Sequence, residues 1–214
     1  MSLSDLSRGE EARIAQPRRT DRMRRVLDVA GAGAGLALLS PLLLGVAVAV
    51  RLDSRGPALF RQTRVGRDGK TFTMLKFRSM RADAAHMPAV PSDRAGICGK
   101  WRDDPRVTRI GRFIRRTSID ELPQLVNVLK GDMALVGPRP ALPSEVAAYP
   151  ARARRRLAVR PGITGLWQVS GRADLAFDKM IDLDLAYVDN RSVAIDLALI
   201  ALTVRAVFAR SGAY

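Results

Sequence analysis

The sequence predicts an α+β fold, mostly helical, attached to a membrane. Three observations carry that expectation. Residues Val26 to Val50 form one apolar run with basic residues on both sides. One stretch alone, Ala58 to Arg78, has the composition of two strands around a turn. The remaining segments show apolar residues at helical spacing, separated by Pro and Gly. A length of 214 residues fits one domain with an appendage.

The apolar run comes first. At 1.5 Å per residue it would be about 37 Å long as a helix, enough to cross a bilayer core. It is too long for a secretory signal, and Arg51-Leu52-Asp53 is no small-residue cleavage site. Two features speak against a simple spanning helix. Ser40-Pro41 lies near the middle, and an interior proline removes a backbone hydrogen bond and kinks the helix. Arg18, Arg19, Arg22, Arg24 and Arg25 precede the run, while Arg51, Arg55, Arg61 and Arg64 follow it. Basic flanks belong on the cytoplasmic face. A helix that enters one leaflet, bends at Ser40-Pro41 and returns satisfies both flanks, so spanning and re-entrant readings stand side by side. Asp28 fits either, paired with a neighbouring arginine at the interface.

After Arg51 the chain reads as a compact unit. Ala58–Gly66 and Thr71–Arg78 are expected strands, joined as a hairpin by Gly66-Arg67-Asp68-Gly69. Residues 82–100, rich in Pro, Gly, Asp and Ala, read as a loop. A helix is expected over 106–116. A second should start at Ser118, where Ser118-x-x-Glu121 matches a capping box and Pro123 falls in the first turn, and stop at Gly131. Residues 141–158 are expected to be helical. Arg152, Arg154, Arg155 and Arg156 within them should be solvated or meet lipid headgroups. Residues 160–165 read as a loop. Ile181 to Tyr187 and Ala194 to Phe208 read as helices, the last apolar on most faces and suited to core or membrane interface.

Charge and residue counts narrow the chemistry. A net charge of +15 suits nucleic acid, an anionic membrane surface or phosphorylated substrates. One cysteine, Cys98, rules out an internal disulfide and a thiolate zinc site. One histidine, His86, would have to carry any Ser-His-Asp centre, and it sits in a loop-like stretch. Any metal would therefore be held by oxygen, which favours Mg²⁺ or Mn²⁺. Asp120 and Glu121, adjacent in a first helical turn among arginines, are the candidate centre. The positive end of a helix dipole should keep both ionised. Such a pair can divide labour between attack, metal binding and proton movement. An ordinary acidic first turn has the same sequence.

Three strings resolve this choice. Leu75–Met80 (LKFRSM), Arg115–Pro140 (RRTSIDELPQLVNVLKGDMALVGPRP) and Arg160–Arg172 (RPGITGLWQVSGR) resemble the bacterial sugar transferases, the monotopic phosphoglycosyl transferases. The resemblance covers residues 20 to 214, and three motifs in order make it specific. The short length is similar to the minimal family form, and Phe208–Tyr214 is similar to the ends of exopolysaccharide-initiating members.

The resemblance implies a reaction: transfer of a sugar 1-phosphate from a UDP-sugar to undecaprenyl phosphate, with release of UMP. It implies Asp120 as nucleophile, Glu121 as its assistant through metal or acceptor, and Mg²⁺ as cofactor held by both. Lys76, Arg78, Arg115 and Arg160 would meet phosphates, and Pro138-Arg139-Pro140 the nucleotide. It also implies a monotopic chain whose membrane helix is a re-entrant hairpin broken at Ser40-Pro41. The chain then divides into a basic segment 1–25, the re-entrant helix 26–50 and a catalytic unit 51–214 with amphipathic interfacial helices. The expected place is the cytoplasmic face of the bacterial inner membrane, and a homodimer is compatible. Trp167 is expected in the core; Trp101 could be core or interface.

A basic module that binds membrane or nucleic acid without catalysis is the competing class. It explains the charge but gives Asp120-Glu121 no use, and an aromatic share of 5% offers few stacking platforms. Nucleic acid is therefore not an expected partner.

Overall fold

The computed structural model describes residues 19–87, 104–170 and 176–208. Arg18, Cys98, Trp101, Arg172 and the closing 209–214 lie outside the described residues, as does most of the expected loop 82–100.

The apolar run belongs to one helix, α1, Arg19–Asp53, with Pro41 inside it. Proline lacks the N–H that would reach the carbonyl four residues back, that of Ala37. The Ser40 hydroxyl donates to that same carbonyl at 2.8 Å. Ser40 and Pro41 thus act together: one removes a backbone donor and the other replaces it, as polar side chains do for prolines in lipid. Asp21–Asp53 is long and apolar enough to cross a membrane by length and composition. Its outward surface is apolar: Leu38 is 81% exposed, Leu44 70% and Leu52 82%.

Both halves of α1 pack on the rest of the molecule. In the first half Ala32 is fully buried against Met74, Leu125, Val128 and Met133. Gly31 and Gly35 allow the close approach, since a Cβ on Gly31 would lie 2.8 Å from a Leu135 methyl. In the second half Val46 and Val50 pack with Phe77 and Ile114. Asp53 then accepts from the Ile110 amide at 3.0 Å. The turn around Leu38–Leu42 stands clear of these clusters.

The hairpin forms as expected. Strands β1 (Leu59–Val65) and β2 (Thr71–Phe77) pair antiparallel, with Phe60 opposite Lys76 and Val65 opposite Thr71. Asp68 and Gly69 take positive φ in the turn, which Asp tolerates and Gly favours. Helix α2, Arg109–Arg116, is capped by Thr108, whose hydroxyl accepts from the Gly111 amide. It lies so close to Ser79 that a Cβ on Gly111 would sit 1.9 Å from the Ser79 carbonyl oxygen.

The helix expected from Ser118 differs. Ser118 is left-handed, with φ 57°, and its side chain caps nothing. Ile119–Glu121 is a single 3₁₀ turn, and helix α3 runs from Gln124 to Lys130, after Pro123. The expected end holds: Gly131 closes α3 with φ 91°, a left-handed cap that favours glycine.

The long helix expected over 141–158 is instead two short ones, α4 (Pro143–Ala147) and α5 (Ala151–Arg154), followed by a 3₁₀ turn Arg155–Ala158. Pro150 has no amide donor and has extended backbone, so it ends one piece and starts the next. Two three-residue strands were not expected. Strand β3 (Ala134–Val136) pairs parallel with β4 (Gly162–Thr164), inside the segment read as a loop. Helices α6 (Leu166–Val169), α7 (Phe177–Asn190) and α8 (Val193–Phe208) complete the described chain. Trp167 is buried, as expected. His86 is exposed in a short 3₁₀ turn, Ala84–His86.

Candidate active site

Asp120 and Glu121 sit on the 3₁₀ turn between α2 and α3. The left-handed Ser118 redirects the chain there, and Ile119 packs into the Val46–Val50–Phe77–Ile114 cluster. The pair is therefore anchored on the second half of α1. Asp120 is 9% exposed. Its carboxyl is pushed up to about 6, first by burial, then by the negative charge of Glu121, while Lys76 and Arg115 pull the other way. The expected helix N-terminus, read as keeping both carboxylates ionised, is not what surrounds Asp120, although a carboxyl at about 6 is still ionised at neutral pH. The residues form a lone 3₁₀ turn, and burial outweighs what dipole remains.

Lys76 reaches the pair from β2, its Nζ 2.6 Å from Glu121 Oε1. A buried amide sets this contact. Asn127 on α3 donates through Nδ2 to the Thr73 carbonyl at 2.7 Å and accepts from the Leu75 amide at 3.0 Å. It completes the free edge of β2 as a neighbouring strand would, and so fixes Lys76 against the turn. Asn127 was not singled out from the sequence; its place mid-helix, where Asn is a poor helix former, was the available signal. Arg115 is half-buried on the last turn of α2 and acts on Asp120 electrostatically. Asp120, Glu121, Lys76 and Arg115 are thus brought together.

Other candidates stand elsewhere. Arg78, expected at a phosphate, is 7% exposed and donates to the carbonyls of Arg55 at 2.6 Å, Ser54 at 2.7 Å, Gly56 at 3.3 Å and Val50 at 3.4 Å. It caps the carboxyl end of α1. Arg160 donates to the Gly131 carbonyl at 2.9 Å, beyond the far end of α3 from the dyad. Pro138, Arg139 and Pro140 follow β3, and Ala141 bridges Val65 at the turn end of the hairpin. From that end to Lys76 is about 17 Å of strand. Arg139 meets Glu145 at 3.4 Å. Ser40 and Pro41 are at the exposed middle of α1.

The profile of the bacterial sugar transferases matches residues 19–210. The chain belongs to the bacterial sugar transferase family. It is 46% identical over 194 residues to the galactosyl transferase CpsE of Streptococcus agalactiae, covering 89% of this chain and 43% of CpsE. It is 42% identical over 199 residues to the undecaprenyl-phosphate galactose phosphotransferase of Salmonella typhimurium, covering 90% of this chain and 42% of that protein. It is 42% identical over 190 residues to EpsL of Bacillus subtilis, a sugar transferase, covering 89% of both. The chain thus spans less than half of the first two relatives and nearly all of EpsL.

Asp120 and Glu121 are the residues here that could offer oxygens to a divalent ion. Among the described residues no cluster of three or more Asp, Glu, His or Cys is gathered. Two adjacent carboxylates, one buried and the other paired with Lys76, are hard oxygen donors of the kind that could hold an ion such as Mg²⁺ together with waters and phosphate oxygens.

The basic run in α5 and the turn after it divides in two, against the expectation of one solvated stretch. Arg152 and Arg155 form surface pairs with Asp182 and Asp189 on α7. Arg156 is buried at 7% exposure, ion-paired with Asp184 and bonded to the Tyr149 hydroxyl at 2.8 Å. Burial raises the Asp184 carboxyl to about 6, against the pull of Arg156 and Arg139.

Proposed function

We propose that this family member transfers a sugar 1-phosphate from a UDP-sugar to undecaprenyl phosphate and releases UMP. The observation that carries the reading is Asp120. It is a buried carboxylate beside a lysine-paired glutamate and an arginine, on a turn whose neighbour Ile119 packs on the apolar helix. In the first half-reaction a carboxylate oxygen of Asp120 attacks the phosphorus that bears the sugar. The bond from that phosphorus to the bridging oxygen breaks, and UMP leaves. In the second, an oxygen of the lipid phosphate attacks the same phosphorus. Asp120 departs as a carboxylate, and a diphosphate joins sugar to lipid.

An anionic nucleophile and two anionic substrates repel one another, so fixed positive charge is needed where they meet. Lys76 and Arg115 supply it. Mg²⁺, held by Asp120 and Glu121, would neutralise the diphosphate further when bound. Arg139 would meet the nucleotide once released from Glu145, and Arg160 remains a phosphate contact only for a group at the far end of α3.

The same reading makes residues 51–214 the catalytic unit and α1 a re-entrant hairpin over 26–50. Its support is that both halves of α1 dock on one body while Ser40-Pro41 stands at the exposed, apolar middle. The lipid phosphate is confined to headgroup depth, and a site resting on α1 lies at that depth. UDP-sugars place it on the cytoplasmic face of the bacterial inner membrane. Galactose, from the relatives' names, and glucose are the donors to try first. A homodimer is compatible with this reading.

The test is UMP release by the chain in nanodiscs with Mg²⁺, undecaprenyl phosphate and UDP-galactose, UDP-glucose or N-acetylated UDP-sugars in turn. Acceptor-dependent UMP with one of them is expected. No UMP from the whole panel would leave the non-catalytic binding module standing.

A further inference from the structure

Every backbone carbonyl of the Pro138-Arg139-Pro140 loop has a donor. The Gly162 amide holds that of Pro138 at 2.9 Å. Arg156 Nη2 reaches that of Arg139 at 3.3 Å, and Arg64 Nη1 that of Pro140 at 3.0 Å. Both arginines are 7% exposed. Arg64 is oriented by Gln62 Oε1, which accepts from its Nη2 at 2.6 Å. Arg156 is oriented by Asp184, by the Tyr149 hydroxyl and by the Tyr149 ring, whose centre lies 5.6 Å from the guanidinium carbon. Pro138 and Pro140 fix their own φ on either side of Arg139, and Arg139, as the residue before a proline, is itself biased to extended backbone. The backbone at Arg139 is therefore held from three sides.

Its side chain is not. Among the described residues its ion pair is a long one, to Glu145 at 3.4 Å, and a third of the side chain is exposed. A guanidinium able to leave its partner stands on a base that cannot shift. Burying a full ion pair beneath a loop is seldom the most stable choice, since apolar packing of equal volume often does better. Directional donation to one particular carbonyl is something apolar packing does not provide.

We propose that Arg156, oriented by Asp184 and Tyr149, is a positioning residue that fixes the Pro138–Pro140 loop so that Arg139 can meet the anionic nucleotide portion of the donor. Arg64 supports the same loop from the hairpin. The inference rests on the reading above that this loop takes the UDP moiety. Arg156 itself touches no substrate. Its effect runs through Arg139, on donor affinity and not on the chemical step.

The full chain in nanodiscs tests this with Arg139→Ala, Arg156→Met, Arg156→Lys and the double variant Arg139→Ala/Arg156→Met. UDP affinity is measured by calorimetry, and donor KM and kcat by UMP release. Arg139→Ala and Arg156→Met should each raise the UDP Kd and the donor KM about tenfold, with kcat within about threefold. The double variant should be no worse than Arg139→Ala alone, because two residues acting through one contact are not additive. Arg156→Lys keeps the charge but lacks the fork that serves Asp184, Tyr149 and a carbonyl together, so it should shift KM the same way by less. It also serves as the folded comparison if the methionine variant does not accumulate. Additive losses, or a fall in kcat at unchanged KM, overturn the positioning role. So does unchanged UDP affinity in the folded Arg156 variants while Arg139→Ala weakens it, with the nucleotide reading left intact. Unchanged affinity in Arg139→Ala overturns that reading, and this inference with it.

Discussion

Lys76 Nζ lies 2.6 Å from Glu121 Oε1 although the two are 45 residues apart. The lysine comes from a strand, the glutamate from a tight turn, and a third residue, Asn127, holds strand and helix in register. The pair brings a cation within reach of Asp120 at a place where burial opposes ionisation.

Lys76→Met should therefore make Asp120 harder to ionise. In metal-free protein the Asp120 carboxyl is neutral well below pH 6 and ionised well above it, since its midpoint is raised to about 6. Lys76 lowers that midpoint, so its removal moves it up and leaves less carboxylate near neutral pH. Carboxyl ¹³C NMR of aspartate-labelled protein reads the midpoint directly. A value unmoved or lowered would show that Lys76 does not act on Asp120.

Asp120→Asn should reduce turnover by at least about 10³-fold, because an amide does not attack phosphorus. Wild-type protein given labelled UDP-sugar without acceptor should carry the label on Asp120, as mass spectrometry of peptides would show. Glu121→Gln should also cripple the enzyme, and EDTA should stop it until Mg²⁺ is restored. Label on a different residue, or full activity in chelator, contradicts the respective assignment.

Arg78→Met should act on stability. It leaves the carbonyls at the end of α1 without their donor, at a cost of about 3 kcal/mol. Denaturant unfolding in detergent should show the loss, while UDP affinity per folded molecule stays the same. Weaker UDP binding at unchanged stability would return Arg78 to the substrate.

The topology of α1 is open to a labelling experiment. With Cys98 replaced by Ser, single cysteines at Arg22 and Arg55 should both be shielded from an impermeant thiol reagent outside intact cells. Replacing Ser40-Pro41 by Ala-Ala raises helix propensity by about 3 kcal/mol at the proline and gives back the missing amide. The straightened helix can span, so part of the population should then label at position 22. External labelling of the unmodified amino-terminal flank would mean a spanning helix.

Features with strong local signatures were legible in the sequence. The hairpin has two β-rich segments and a turn ending in Asp-Gly, and α3 ends at the glycine that a left-handed cap favours. The dyad could be located by motif, but its electrostatics could not, because the capping-box pattern at Ser118 is shared by a turn that buries the next carboxylate. Strands β3 and β4 have three residues each, too few for any period to show. Arg78 and Arg156 look like their exposed neighbours in a list of arginines. Only tertiary contacts distinguish a guanidinium that spends its donors on carbonyls from one left for a ligand.

The docking of α1 changes what it means to call this helix an anchor. Ala32, Val46 and Val50 are interior residues of the same body that carries Asp120, and Asp53 binds the first turn of α2. A leash could be cut without harm to what it holds. Severing this chain near Arg55 would instead remove one wall of that body's interior, exposing Met74, Phe77 and Ile114 to water. A water-soluble version will have to be made by repainting the outer surface of α1, at positions such as Leu38, Leu44 and Leu52, with the helix left in place.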